Sequence, residues 1–226
     1  ICNSPVEKKS RYRYSDLGFI LMYKMIENVT DQPFDEYLNQ SFYKRIGTST
    51  LCFNPLKSFS LDQIIPTEDD QYFRKQNIHG YVHDPAAAMM GGISGHAGLF
   101  SNANDLGKIM QMFLNEGVYG SDQFLNHETV AYFTSRQSKN DDNRRGLGFD
   151  KPETDHTRKS PACQSVSPES YGHSGFTGTY VWADPSCQLI YIFLSNRIYP
   201  DAANNKLADM NIRTKIQQEL YNNFIH

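Results

Sequence analysis

The stretch Tyr171-Gly172-His173-Ser174-Gly175-Phe176-Thr177-Gly178-Thr179-Tyr180-Val181-Trp182-Ala183-Asp184-Pro185 restricts the fold more than any other part of the chain. Small residues and a histidine run into an alternating strand that ends at an Asp-Pro turn. The apolar run at 189–194 answers it, so the pattern predicts a β-hairpin. Gly172, Gly175 and Gly178 let backbone lie against a ligand without Cβ obstruction, and His173, Ser174 and Thr177 offer polar atoms along the same edge. An isolated His-Ser-Gly is as compatible with a plain turn as with a site. A second motif, Tyr14-Ser15-Asp16, lies about 160 residues upstream, just ahead of a long apolar segment, and supplies context.

That segment, residues 17–29, carries Phe19, Ile20, Leu21, Met22, Met25 and Ile26 on nearly every helical face, which predicts a buried helix capped by Ser15 or Asp16. Thr30-Asp31-Gln32-Pro33 starts a second helix, with Phe34, Tyr37, Leu38 and Phe42 at helical spacing until Gly47. Residues 48–84, with Pro55, Pro66 and the acidic run Glu68, Asp69 and Asp70, read as a long surface excursion. A short helical turn at 86–90 leads into the glycine-rich turn at 91–98, whose spacing is not that of a phosphate loop. Asn102 and Asp105 form a capping pair before the apolar stripe Leu106, Ile109, Met110, Phe113 and Leu114. Asn126 caps a further helix with Val130, Tyr132 and Phe133. Gly146 to Asp150 forms a short strand between the polar loops 135–145 and 151–170. Ile212, Ile216, Leu220 and Phe224 mark a final amphipathic helix that packs across the sheet.

A net charge of -3 over 226 residues leaves no basic surface for nucleic acid, and no apolar run is long enough to cross a bilayer. Cys2, Cys52, Cys163 and Cys187 lack paired zinc spacing and read as isolated thiols. His79, His83 and Asp84 have metal-like spacing, but Gly80 and Pro85 argue against the helix that would align them. The expectation is no metal and no cofactor.

Tyr14-Ser15-Asp16-Leu17-Gly18 and His173-Ser174-Gly175, continued by Phe176-Thr177-Gly178, resemble two elements of the penicillin-binding protein and β-lactamase superfamily of serine hydrolases. The first is similar to the Tyr-x-Asn element of its class C β-lactamase and esterase branch, the second to its Lys-Thr-Gly strand in a His-x-Gly form. The segment 95–106 also looks like the family's glycine turn and capped helix. The resemblance spans nearly the whole chain. It implies an α+β, β-lactamase/transpeptidase-like fold with an antiparallel sheet, packed helices and a helical region. Residues 1–226 then form a single domain, mainly helical over 1–145, with the sheet hairpin and C-terminal helix over 146–226.

The family acts by acyl transfer through a Ser-x-x-Lys serine that precedes the tyrosine element. Ser4 and Ser10 have no lysine three residues on, and Ser41-Phe42-Tyr43-Lys44 lies downstream, so the resemblance makes the chain the later part of a domain whose nucleophile is upstream. It implies Tyr14 as general base and assigns His173 with it to the catalytic set, with Asp16, Ser174, Gly175, Phe176, Thr177 and Arg197 contacting substrate. The Phe176 amide would face the oxyanion. Asp16 in place of asparagine can only accept hydrogen bonds, and His173 in place of lysine is a weaker anchor for a carboxylate, leaving Arg197 as the candidate anion contact. The implied substrate is an ester, a D-amino-acid peptide or a β-lactam in a bacterial envelope or periplasm. The rivals are a non-catalytic module that binds cell-wall peptide, joined in some relatives to a glycosidase domain, and a structural partner of an attached enzyme.

Overall fold

The computed structural model describes residues 1, 3, 12–138, 143–155 and 157–225. Cys2, the cations Lys8, Lys9 and Arg11, and parts of the expected polar loops at 139–142 and 156 lie outside them. Helix α1 (Leu17–Thr30) ends at Asp31 in the left-handed region (φ 52°). Helix α2 (Phe34–Leu38) runs through one π-helical turn (Asn39–Tyr43) into α3 (Lys44–Ile46), and Gly47 stops it at φ 78°. Strand β1 (Cys52–Phe53) pairs with β4 (Leu99–Phe100), and β2 (Pro66–Asp70) pairs antiparallel with β3 (Gln76–His79). Helix α4 (Pro85–Met89) is followed by the glycine turn, α5 (Ala103–Leu114), the pair β5 (Val118–Tyr119) and β6 (Asp122–Gln123), and α6 (His127–Thr134). The chain closes with β7 (Tyr171–Ser174), β8 (Tyr180–Asp184), β9 (Leu189–Phe193), α7 (Lys206–Asp209) and α8 (Ile212–Phe224).

The expected hairpin is β8 and β9, and β7 adds an edge, giving an antiparallel sheet in the order β7-β8-β9. Period-two alternation sends its side chains to two helices. On one face, Tyr171 and Ala183 pack with Met110 and Leu114 of α5. On the other, Tyr180, Trp182 and Tyr191 pack with Ala162 and, through Leu220, with α8, and the Tyr180 and Trp182 rings stack at 5.6 Å. The strand expected at 146–150 is reduced to one bridge, Asp150 to Gly172, against the β7 edge. A smaller cluster of Tyr23, Phe34 and Phe53 joins α1, α2 and β1.

Three further expectations are corrected. Helix α1 forms, but Tyr23 is its only fully buried residue. Leu21, Met22, Met25 and Val29 are exposed because the described residues pack against one side of it alone. The acidic run is not a solvated loop. Glu68 and Asp70 are buried on β2, where Arg74 bonds Glu68 at 3.0 Å and Asp70 at 3.1 Å and also holds the Val82 and His83 carbonyls. Burial alone would raise the Asp70 pKa, but the Phe73, Arg74 and Tyr72 amides and the guanidinium keep it well below the usual carboxylate range. The buried face of α8 is offset from the aliphatic stripe, since Gln217 and Tyr221 point inward while Ile216 and Phe224 stay exposed. Polar groups on the sheet demand this: Gln217 accepts from the Tyr180 hydroxyl and the Cys163 amide, and Tyr221 donates to Asp184 at 2.6 Å.

The edge strand tolerates no side chain at Gly172, where a Cβ would collide with the Val181 carbonyl oxygen and lie 2.8 Å from the Trp182 Cα. Gly172→Ala is expected to cost about 2 kcal/mol in urea unfolding. Gly18→Ala, in the exposed first turns of α1 with nothing within 4 Å of the new Cβ, is expected to add roughly 0.5–1 kcal/mol. Equal effects of the two would contradict this packing of β7.

Candidate active site

The N-cap of α1 is Asp16, whose side chain makes no capping bond; Ser15, one residue earlier, accepts the Leu17 amide at 3.3 Å. This start of α1 brings Tyr14 against the end of β7, with its ring centroid 6.2 Å from that of His173. The glycine turn braces the helix: a Cβ at Gly95 would collide with the Phe19 carbonyl. Tyr14, His173, Ser174, Gly175, Phe176 and Arg197, named from sequence alone, line one cleft of 360 Å³. Asp16 and Thr177 are not among its walls. Thr177 accepts the Arg197 amide behind the turn at 2.8 Å.

The cleft also contains residues that sequence reading missed. Arg145, from the polar loop, lies 4.7 Å from the Tyr14 ring centroid and donates to His173 Nε2 at 2.9 Å. Buried Asp150 holds it at 3.1 Å, together with Arg144, and is itself tied to β7 through its bridge to Gly172. The pair Arg144-Arg145 just before a strand-like segment was the available signal. Arg213, in the first turn of α8, was hidden behind the aliphatic spacing of that helix. It completes a wall of three arginines with Arg145 and Arg197.

Hydrogen bonding fixes the histidine tautomer. Nδ1 donates to the Ser174 carbonyl at 2.8 Å, and Nε2 accepts from Arg145, so the ring is neutral. Burial holds its pKa below 6.5, the Ser174 bond opposes that shift, and the Arg145 charge reinforces it. The positive charge of the cleft therefore comes from arginine, not from His173. An NMR titration of the His173 ring is expected to give a midpoint below 6.5, moving upward in Arg145→Gln. Because the folded pKa is depressed, the stability this ring contributes is present above pH 6.5 and is lost as pH falls through the folded pKa. A midpoint above 6.5 would contradict the neutral assignment.

Burial raises the Tyr14 phenol above its ordinary value near 10. The Arg145 guanidinium works against this, and the Asp16 carboxylate adds to it. Phe176 is exposed, stacked on His83 at 4.9 Å on one side and covered by the Arg197 guanidinium at 4.6 Å on the other. The turn beyond it is closed by Gly175 N–H to Thr179 O and Gly178 N–H to Gly175 O. No group among the described residues accepts the Phe176 N–H, leaving a backbone donor at the cleft. Arg197 Nε donates to the Phe176 carbonyl, and its Nη1 donates to the carbonyls of Ala202 and Asn204, which holds the turn in place. Ser41 lies in the π-helical turn and lines no part of this cleft. Among the described residues no cluster could hold a metal ion, and no helix is long and apolar enough to cross a membrane.

The family model described as Beta-lactamase matches residues 4–213. A "Putative D-alanyl-D-alanine carboxypeptidase" of Escherichia coli K12 is 38% identical over 218 residues, 90% of this chain and 50% of the relative. A protein of the same description from Salmonella typhi is 36% identical over 222 residues, 92% of this chain and 50% of the relative. The chain thus spans about half the length of the curated relatives it matches. A crystal structure of a β-lactamase from Mycobacterium bovis matches with TM-score 0.62 at 18% identity, covering 94% of this chain and 64% of that one. The octameric penicillin-binding protein homologue from Pyrococcus abyssi matches with TM-score 0.59 at 18% identity over 91% and 44% of the two chains. These likenesses establish the α+β, β-lactamase/transpeptidase-like fold.

Proposed function

The chain belongs to the β-lactamase family, and on that premise we propose that it carries the tyrosine and edge-strand half of an acyl-transfer site that opens D-alanyl peptides, related esters or β-lactams. The observation behind this reading is the cleft itself, where Tyr14, the His173–Phe176 edge and an unspent Phe176 N–H meet beside three arginines. A peptide or opened lactam ends in a carboxylate, and planar guanidinium groups suit that anion. The description of the E. coli relative as a D-alanyl-D-alanine carboxypeptidase points to the same substrate class.

In this reading a serine carried by residues preceding Ile1, followed three residues later by lysine, docks against the uncovered face of α1. Its hydroxyl proton passes to Tyr14 as the oxygen attacks the substrate carbonyl. The developing oxyanion is held by the serine amide and the Phe176 amide, and Tyr14 then returns the proton to the leaving group. A phenol raised above 10 is a poor base at neutral pH, so the lysine ammonium has to add to the charge of Arg145. The proposed setting is the bacterial cell envelope.

Intact-mass analysis of the natural-length protein incubated with benzylpenicillin tests this. A covalent adduct on a Ser-x-x-Lys serine upstream of Tyr14 is the expected outcome. Non-covalent binding of a D-alanyl-D-alanine peptide with no adduct and no turnover would replace the enzyme by a cell-wall-binding module. An adduct on Ser41 would overturn the assignment of the nucleophile.

A further inference from the structure

A second and larger cleft, 790 Å³, lies at the opposite end of β7 and shares no lining residue with the first. It opens between the C-terminal half of α5, α6, the segment after Asp150 and the turn between β8 and β9. Phe113, Leu114, Val130, Pro168 and Pro185 give it an apolar body. Two cations stand in its wall. Lys151 is 5% exposed, donates one hydrogen bond to the Glu169 carbonyl at 2.7 Å, and sits 5.9 Å from the Tyr171 ring centroid. An ammonium has three N–H donors, so two remain unspent among the described residues, and no carboxylate lies within ion-pair distance. Arg136 beside it makes one long bond, to the Pro152 carbonyl at 3.4 Å.

A buried ammonium without a counter-ion is costly, and an anion seated in the cleft removes that cost. The carboxylates in reach are otherwise engaged or remote. Glu116 pairs with His127 at the rim at 2.9 Å, Asp184 is held by Ser167 and Tyr221, and the Glu169 side chain approaches Ser186 at 3.5 Å. Burial accordingly lowers the Lys151 pKa to about 8, with Arg136 lowering it and Glu169 and Asp184 opposing.

We infer that this cleft is a binding site for a small monocarboxylate with an apolar body, its head group on Lys151 and Arg136 and its tail along Phe113, Val130 and Pro185. The site does not depend on the acyl-transfer reading, because its walls hold neither Tyr14 nor His173.

Isothermal titration of the protein with octanoate, and with octanamide as the uncharged control, tests it. Octanoate is expected to bind one to one at pH 7, with Kd between about 10 μM and 1 mM, and octanamide at least about tenfold more weakly. Affinity is expected to fall as pH rises through about 8, where Lys151 loses its proton. Lys151→Met is expected to narrow the difference between the two ligands to what Arg136 alone supports, and Glu169→Gln to strengthen octanoate binding by removing a repelling charge. If Lys151→Met does not fold, the pH series on the unmodified protein decides. No binding at about 10 mM octanoate, equal affinity for the amide, or affinity independent of pH between 7 and 9.5 would each overturn the assignment.

Discussion

On the proposed acyl-transfer mechanism, Tyr14→Phe in the natural-length protein is expected to lower kcat/KM for hydrolysis of a D-alanyl-D-alanine peptide by roughly 10²–10⁴-fold while leaving thermal unfolding unchanged. The ring stays, so its contacts with His173 and under Arg145 are kept, and only the hydroxyl is lost. More than half of the residue faces solvent, at 55% exposure, so no packed core depends on that oxygen. A KM change without a kcat change would assign Tyr14 to substrate binding alone. Unchanged turnover would remove it as the base.

Asp105→Ala should produce the largest loss of stability of any single change considered. The carboxylate is 1% exposed and accepts the Ser49 amide, the Thr50 amide and the Thr50 hydroxyl, with Lys108 at 3.0 Å. It ties the start of α5 to the chain leaving α3, and alanine strands three donors and a lysine. The expected cost is roughly 3–5 kcal/mol by urea denaturation, a large share of a domain's total stability. Burial alone would raise its pKa, but the Thr50 amide, the Thr50 hydroxyl, Lys108 and the Ser49 amide bring it to about 2 from 3.8. A depressed carboxylate stabilises above its unfolded pKa and loses that contribution as pH falls through the folded one. The drop from 3.8 to about 2 corresponds to roughly 2–3 kcal/mol lost between roughly pH 4 and pH 2. In Asp105→Asn this part of the acid transition should disappear. An alanine variant within about 1 kcal/mol of the parent would contradict the buried network.

Where local chemistry settled an element, the sequence was readable. Asn102 does accept the Asp105 amide at the start of α5, the Asp-Pro turn does close β8 against β9, and Gly47 does end α3. What stayed hidden depended on partners distant in sequence or invisible to hydrophobic patterning. Pro66-Thr67-Glu68-Asp69-Asp70 has no strand signature and becomes β2 because Arg74 neutralises two of its carboxylates. The face of α8 is chosen by polar groups on β8, which an aliphatic stripe cannot report. The candidate site divides the same way. Tyr14 and the residues from His173 to Phe176 carry motif resemblance, whereas Arg145 reaches the cleft only because Asp150 pins its loop to the β7 edge.

The most direct test of the proposed acyl-transfer site is a crystal structure of the natural-length protein after reaction with benzylpenicillin. It should show the acyl carbonyl oxygen within about 3 Å of the Phe176 amide nitrogen, the Tyr14 hydroxyl facing the ester, and the penicillin carboxylate turned toward the arginine wall. An adduct seated away from β7, with the Phe176 amide and Tyr14 untouched, would contradict the assignment.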